Sequence, residues 1–522
     1  MRDNRPAGAT RRDFLAATAG GLAAISMADR FAVRVHAEAE QTEMSDLVKM
    51  NAVELSGAIH SKRASAAEVM TAYLDHIDRL NSKVNAIVTL QDRDRLMKQA
   101  AERDAQLARG ESMGWMHGFP HAAKDLAATK GIRTTWGSPL LDMVPAEDAI
   151  FVERLRKNGA ILIGKTNAPE FGLGSQTYNS VFGTTLNAFD QHKCAGGSSG
   201  GAAVSLALRM VPAADGSDMM GSLRNPAAYN NVIGFRPSYG RVPSSGPELF
   251  LGQLSTEGPM GRTVEDVAML LSVMAGPDSR APFSIEQDPK VFTEPLKRDF
   301  HGTRAVWLGD LAGRLPMEPG VMELCAGALK VFESIGCKVD DQPVLKLPVD
   351  EMWESWVRLR HWLVADGLAP LYDDPAKRAR MKPEAQWEIE NGLKLSALDV
   401  FRASVVRSGW YDAIRSVFET YDYLLLPSAQ VFPFDAHVHW PAEINGVKMD
   451  TYHRWMEVVV PASLLSAPVI GMPVGFNANG LPMGMQIIGR NHADLAVLQV
   501  AYAYEQATEW TRKVLPALLK ES

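Results

Sequence analysis

The stretch KCAGGSSGGAA, Lys193 to Ala203, places four glycines and two serines between a lysine and the start of an alanine-rich run. By composition alone such a tract reads as a flexible linker. Its neighbours argue otherwise. AAVSLALRM, which begins at Ala202, reads as a packed helix, and VPAADGSD then leads to Ser222 in a Met-Gly-Ser-Leu-Arg-Asn-Pro context. Glycines that abut apolar segments on both sides suit backbone brought close to other backbone or to a substrate. They could also direct amide groups at an anion. No lysine closes the loop in the way phosphate chemistry wants.

Further out, short β-rich runs alternate with helical stretches. NAIVTL at 85–90, AILIGK at 160–165, AVWLG at 305–309, YLLLPS at 423–428 and PMGMQIIG at 482–489 have the first character. DAIFVERLRKNG at 148–159 and LAVLQVAYAYEQAT at 495–508 have the second. This alternation predicts an α/β fold: a central mixed, mainly parallel twisted sheet with helices on both faces. Amphipathic helices precede it from about residue 45. The stretch from about 345 to 421 is helical, charged and rich in tryptophan (Trp353, Trp356, Trp362, Trp387, Trp410), and reads as a helical insertion. The proline-rich run at 278–295 is the best linker candidate.

The chain has 522 residues, 46% of them hydrophobic, and a formal charge of −7, so it has material for a large core and no polybasic footprint for nucleic acid or a membrane surface. Residues 1–37 differ from the rest. Paired Arg11 and Arg12 precede a short Ala/Gly/Leu-rich run, the pattern of a twin-arginine export signal. Its apolar run is too short to span a bilayer core of ~30 Å, and the expectation is export to the periplasm or beyond without a stable membrane anchor. Three cysteines, Cys194, Cys325 and Cys337, are too few for a disulfide framework. A helix ending at Gly336 would separate Cys325 from Cys337, and Cys194 reads as a small buried residue.

Two tempting motifs fail. Gly159 to Thr166 matches the phosphate-loop pattern literally, but the helix precedes it and its middle residues AILI form a strand. His437 and His439 in FDAHVHW have metal-ligand types without a repeated ligand spacing, so they read as a polar wall of a substrate cleft, and no metal is expected.

Gly196-Gly197-Ser198-Ser199-Gly200-Gly201 and, 24 residues after Ser198, Gly221-Ser222-Leu223-Arg224-Asn225-Pro226-Ala227 resemble the amidase signature family of serine hydrolases. MHGFPHAAKDLAATKGIRTTWGS at 116–138 is similar to its lysine segment, with Lys124 as the third member. The likeness also takes in 163–190 and 466–489, spans about 50 to 510, and is weakest in the helical insertion. It implies a single amidase domain over 45–515. It also implies that Ser222 is the nucleophile, that Ser198, preceded by a cis peptide, relays the proton, and that neutral Lys124 is the terminal base. Burial can lower a lysine pKa by several units, which arginine would not allow.

The resemblance further implies an oxyanion site of the backbone amides of Met219, Met220, Gly221 and Ser222, each donor worth roughly 3–4 kcal/mol in the transition state. Gly196 and Gly197 suit the geometry before Ser198, and Asp218 and Arg224 are expected to fix the loop by charge-assisted bonds. Met220 stands where the family has glycine or alanine. A β-carbon there would disfavour a positive φ. The expected activity is cleavage of a carboxylic amide into acid and amine or ammonia through an acyl-Ser222 intermediate, with no cofactor. An apolar or aromatic substrate is suggested by the tryptophans. A homodimer stays open. Esterase or carbamate hydrolysis on the same residues, a tRNA-linked amidase subunit, and a catalytically weak binding protein on this scaffold are the alternatives.

Overall fold

The computed structural model describes residues 46–341, 343 and 347–520. The export-signal reading of residues 1–37 lies outside the described residues. Helix Ala66–Val84 starts where the sequence supplies a reciprocal cap: the Ser65 hydroxyl accepts from the Glu68 amide while the Glu68 carboxylate accepts from the Ser65 amide.

Two sheets position the site. The smaller has strands β1 (Ile87–Val88), β2 (Pro120–Lys124) and β3 (Ile161–Thr166) in the order β1-β3-β2. The larger contains β4 (Ala214–Asp218), β5 (Ile233–Arg236), β6 (Thr256–Gly261), β7 (Arg304–Trp307), β8 (Lys338–Asp341), β9 (Tyr423–Pro427), β10 (Val469–Phe476) and β11 (Pro482–Ile488). Its order is β8-β7-β9-β11-β10-β5-β6-β4. The mixed sheet flanked by helices is as expected, but its strand sense needs correcting. Only β8/β7 and β7/β9 run parallel. The other pairs, β9/β11, β11/β10, β10/β5, β5/β6 and β6/β4, are antiparallel. Continuous apolar strands mark a sheet buried on both faces, not a parallel one, and the helices here bury antiparallel strands equally well.

Five helices matter below: α1 (Gly200–Ala207), α2 (Arg224–Tyr229), α3 (Met352–Tyr372), α4 (Pro383–Gly392) and α5 (Ala397–Val417). Helix α2 packs on β10 and β11, and α1 packs between the two sheets against β3 and β4. The tryptophan-rich stretch is helical: α3 packs on α4 and α5, and a small core cluster forms there. Strand β2 meets β4 at the joint between the sheets. That joint holds the site.

Candidate active site

Strand β2 ends at Lys124, whose side chain is 1% exposed. Its Nζ lies 2.8 Å from Ser198 Oγ, 2.9 Å from Ser199 Oγ and 2.9 Å from Ser217 Oγ. Burial lowers the lysine pKa, and the carboxylates of Glu257, Asp215 and Asp218 offset that only in part. The ammonium is therefore less favoured here than on an exposed lysine.

Ser198 follows a cis peptide from Gly197. The tract around it is no linker. Thr177 donates to the Gly196 carbonyl at 2.8 Å, and Ser175 Oγ lies 2.6 Å from the Gly197 carbonyl oxygen. Gly196 has φ +70°, and a Cβ there would sit 2.7 Å from Asn225 Oδ1 and 3.0 Å from Pro226 Cα. Only glycine takes that turn with helix α2 so close.

Ser222 is 7% exposed and opens, with Ser198, into a cavity of about 120 Å³ whose wall includes Met219, Met220, Arg360 and His453. Among the described residues no protein group hydrogen-bonds to Ser222 Oγ, and Ser198 and Ser222 are joined by a shared cavity, not by a hydrogen bond. Links of this kind are commonly loose until substrate binds.

The turn after β4 is held by ion pairs. Asp218 takes a two-pronged contact from Arg224, Nε to Oδ2 at 3.0 Å and Nη2 to Oδ1 at 2.9 Å, with Arg236 Nη1 3.5 Å from Oδ1. Burial works to raise the Asp218 pKa, but Arg224, Arg236 and the Leu223 amide outweigh it and hold the carboxyl well below its ordinary range. The Gly221 amide, expected among the oxyanion donors, instead donates to Asp218 Oδ1 at 2.8 Å. Among the described residues the amides of Met219, Met220 and Ser222 have no protein acceptor. The concern over Met220 also resolves. Positive φ falls on Gly221, at +81°, where a Cβ would meet Val459 Cγ1 at 2.9 Å. Met220 is buried against the cavity at an unstrained position.

Several groups at the site carry little or no signal in the sequence. Ser199 and Ser217 complete the hydroxyl cage around Lys124, and only their place inside the motif hinted at them. Asp215 Oδ2 accepts from the Lys124 amide at 3.1 Å while Oδ1 lies 2.8 Å from His121 Nε2. Arg360 on α3 and His453 arrive from remote segments. Other expectations are corrected. His437 and His439 are exposed, neither lines the cavity, and His439 stacks on Tyr178 with ring centres 4.2 Å apart. Among the described residues no group of three or more His, Cys, Asp or Glu could hold a metal. Among the described residues no tryptophan lines the cavity: Trp353, Trp356 and Trp410 are core, and Trp387 packs on His361 and Tyr452. Lys165 of the apparent phosphate loop is buried, donating to the Ala127 carbonyl and the Thr129 hydroxyl at 2.6 Å each. Cys194 is buried too, its thiol pushed up to about 12 by burial.

A buried lysine next to Ser198, and Ser198, Ser222 and free amides at one small cavity, are the residue types that serine–lysine hydrolysis uses. The family model described as Amidase matches residues 68–498. The chain is 33% identical over 474 residues to an acylamidase of Rhodococcus erythropolis, covering 89% of this chain and 96% of that one. It is 34% identical over 486 residues to a component of the glutamyl-tRNA(Gln) amidotransferase of Thermosynechococcus vestitus, covering 88% and 98%. A bacterial aryl acylamidase of the amidase signature family superposes with a TM-score of 0.83 at 29% identity, over 88% of this chain and 97% of its own. The chain belongs to the amidase signature family and is an amide-hydrolysing enzyme.

Proposed function

We propose that the enzyme is an acylamidase, cleaving a small carboxylic amide into acid and amine through an acyl-Ser222 intermediate. The observation that carries this reading is the buried Lys124 Nζ at 2.8 Å from Ser198 Oγ, beside a cavity into which an unpartnered Ser222 hydroxyl opens. As Ser222 Oγ bonds to the amide carbon, its proton passes to Ser198, whose own proton passes to neutral Lys124. The negative charge that builds on the carbonyl oxygen meets the free amides of Met219, Met220 and Ser222. Collapse of the tetrahedral species breaks the C–N bond as Ser198 protonates the departing nitrogen and recovers its proton from Lys124. Water, deprotonated along the same relay, attacks the ester, and Ser222 leaves with a proton.

The enzyme treated with a fluorophosphonate is expected to gain one adduct, on the peptide holding Ser222, and Ser222→Ala is expected to gain none. An adduct on Ser198 or Ser217 instead would overturn the assignment. The paired Arg11 and Arg12 support a periplasmic or secreted enzyme over a tRNA-linked amidase subunit. Replacing both by lysine is expected to leave full-length enzyme in the cytoplasm on fractionation; unchanged export would rule out the twin-arginine route.

A further inference from the structure

The cavity wall carries a polar cluster for which the relay itself has no use. Arg360 is buried, with Nε donating to Glu388 Oε1 at 2.6 Å and Nη2 to the Tyr452 hydroxyl at 2.7 Å. Its Nη1 meets only Met219 Sδ, at 3.5 Å. A guanidinium has five N–H donors and a thioether is a weak acceptor, so Nη1 keeps donor capacity beside the turn that holds the free amides.

His453, 0% exposed, lines the same cavity. Its Nδ1 lies 2.9 Å from the Thr451 hydroxyl, while Nε2 has no hydrogen-bond partner and stands 4.0 Å from Glu388 Oε1, beyond reach. The Glu388 carboxylate on the Nε2 side favours the tautomer with its proton on Nε2, in which the Thr451 hydroxyl donates to Nδ1. Burial brings the His453 pKa down to about 3, with Glu388 opposing and Arg360 assisting, which keeps the ring uncharged. The charge of Arg360 is already matched by Glu388, which also takes His361 Nδ1 at 2.6 Å. The cluster thus offers donors whose guanidinium charge is already paired. Buried donors lacking acceptors are costly, and a ligand oxygen entering the cavity would supply one.

We propose that Arg360 and His453 read the acyl group, and that the preferred substrates are neutral amides whose acyl chain carries a hydrogen-bond-accepting oxygen such as an ether or ketone. This rests on the acyl-Ser222 reading: the acyl group stays on Ser222 while the amine departs, so the cavity that Ser222 faces holds the acyl chain. A carboxylate is disfavoured because the guanidinium is already paired, and a plain alkyl chain because it leaves both donors unsatisfied.

The test compares p-nitroanilides of butyric acid, methoxyacetic acid and the succinic half-acid on the full-length enzyme. kcat/KM for methoxyacetyl is expected to exceed that for butyryl by at least about tenfold, with succinyl below methoxyacetyl. His453→Phe is expected to shrink the methoxyacetyl-to-butyryl ratio severalfold. His453→Gln, which keeps an N–H donor, is expected to recover part of it. Because the ratio is compared between variants, the greater intrinsic reactivity of the methoxyacetyl amide cancels. Should the ratio be the same in wild type and both variants while Ser222 still acylates, the inference falls and the amidase reading stands. Should Ser222 acylate with none of the three, the amidase reading falls and takes the inference with it. A succinyl preference over methoxyacetyl would also overturn it.

Discussion

A lysine can take a proton from a hydroxyl only while it is uncharged, and at position 124 burial presses the amine toward that state. Its folded pKa lies below the ordinary ~10.4, so as pH falls through the folded value the ammonium forms and the acceptor is lost. kcat/KM is therefore expected to drop with decreasing pH along a limb centred well below ~10.4. A limb at the ordinary lysine position, or none, would contradict the role. Lys124→Met is expected to lower kcat by about 10²–10⁴-fold without altering far-UV circular dichroism. Gly221 poses a different residue-level constraint, since its φ of +81° and the 2.9 Å approach to Val459 Cγ1 exclude a β-carbon. Gly221→Ala is expected to lower Tm and kcat together. Val459→Ala added to it removes the contact but not the backbone cost of ~1–2 kcal/mol, so recovery should be partial. Full recovery would show that crowding alone was at stake.

Between β4 and α2, the turn that presents Ser222 is set by Asp218 and the two guanidiniums on it. Breaking such a buried pair leaves charge uncompensated, at a cost of about 3–5 kcal/mol. Asp218→Asn is expected to lose stability of that order in urea unfolding and to disturb the Gly221 amide that Asp218 holds at 2.8 Å. The pH dependence has a definite sign. Asp218 is depressed in the folded state, so its contribution is complete above the unfolded value of ~3.9 and fades as pH falls toward the folded one. Asp218→Asn should therefore flatten the acid side of the stability profile; an unchanged profile would count against this. Elements like this turn were legible in the sequence because glycine, serine and acid fall within one short segment. The sense of the strands was not, since apolar runs such as YLLLP report burial and not the direction of the partner. Arg360 and His453 were equally silent, because each reaches the cavity only through the packing of a distant segment.

Across the whole molecule, the site spans the joint between the two sheets, with Lys124 on β2 facing hydroxyls that follow β3 and end β4. The geometry of the proposed relay therefore depends on how the sheets seat against each other. Asp215 also ties them: from β4 it accepts from the Lys124 amide at 3.1 Å and lies 2.8 Å from His121 Nε2, both on β2. Sequence reading reached Lys124 through its resemblance to a family segment but had no route to Asp215, whose role exists only once the two strands meet. Asp215→Ala is expected to lower kcat far more than it raises KM, because substrate contacts remain while the base shifts. Loss of stability alone could mimic this, so a core truncation remote from the joint serves as the comparison. Leu498→Ala, in helix Asp494–Thr508 and fully buried, is expected to lose about 2–5 kcal/mol and keep kcat near wild type below its unfolding transition. If the two variants lose kcat alike at matched stability, the seating of β2 on β4 does not set the relay; if only Asp215→Ala loses it, the joint does.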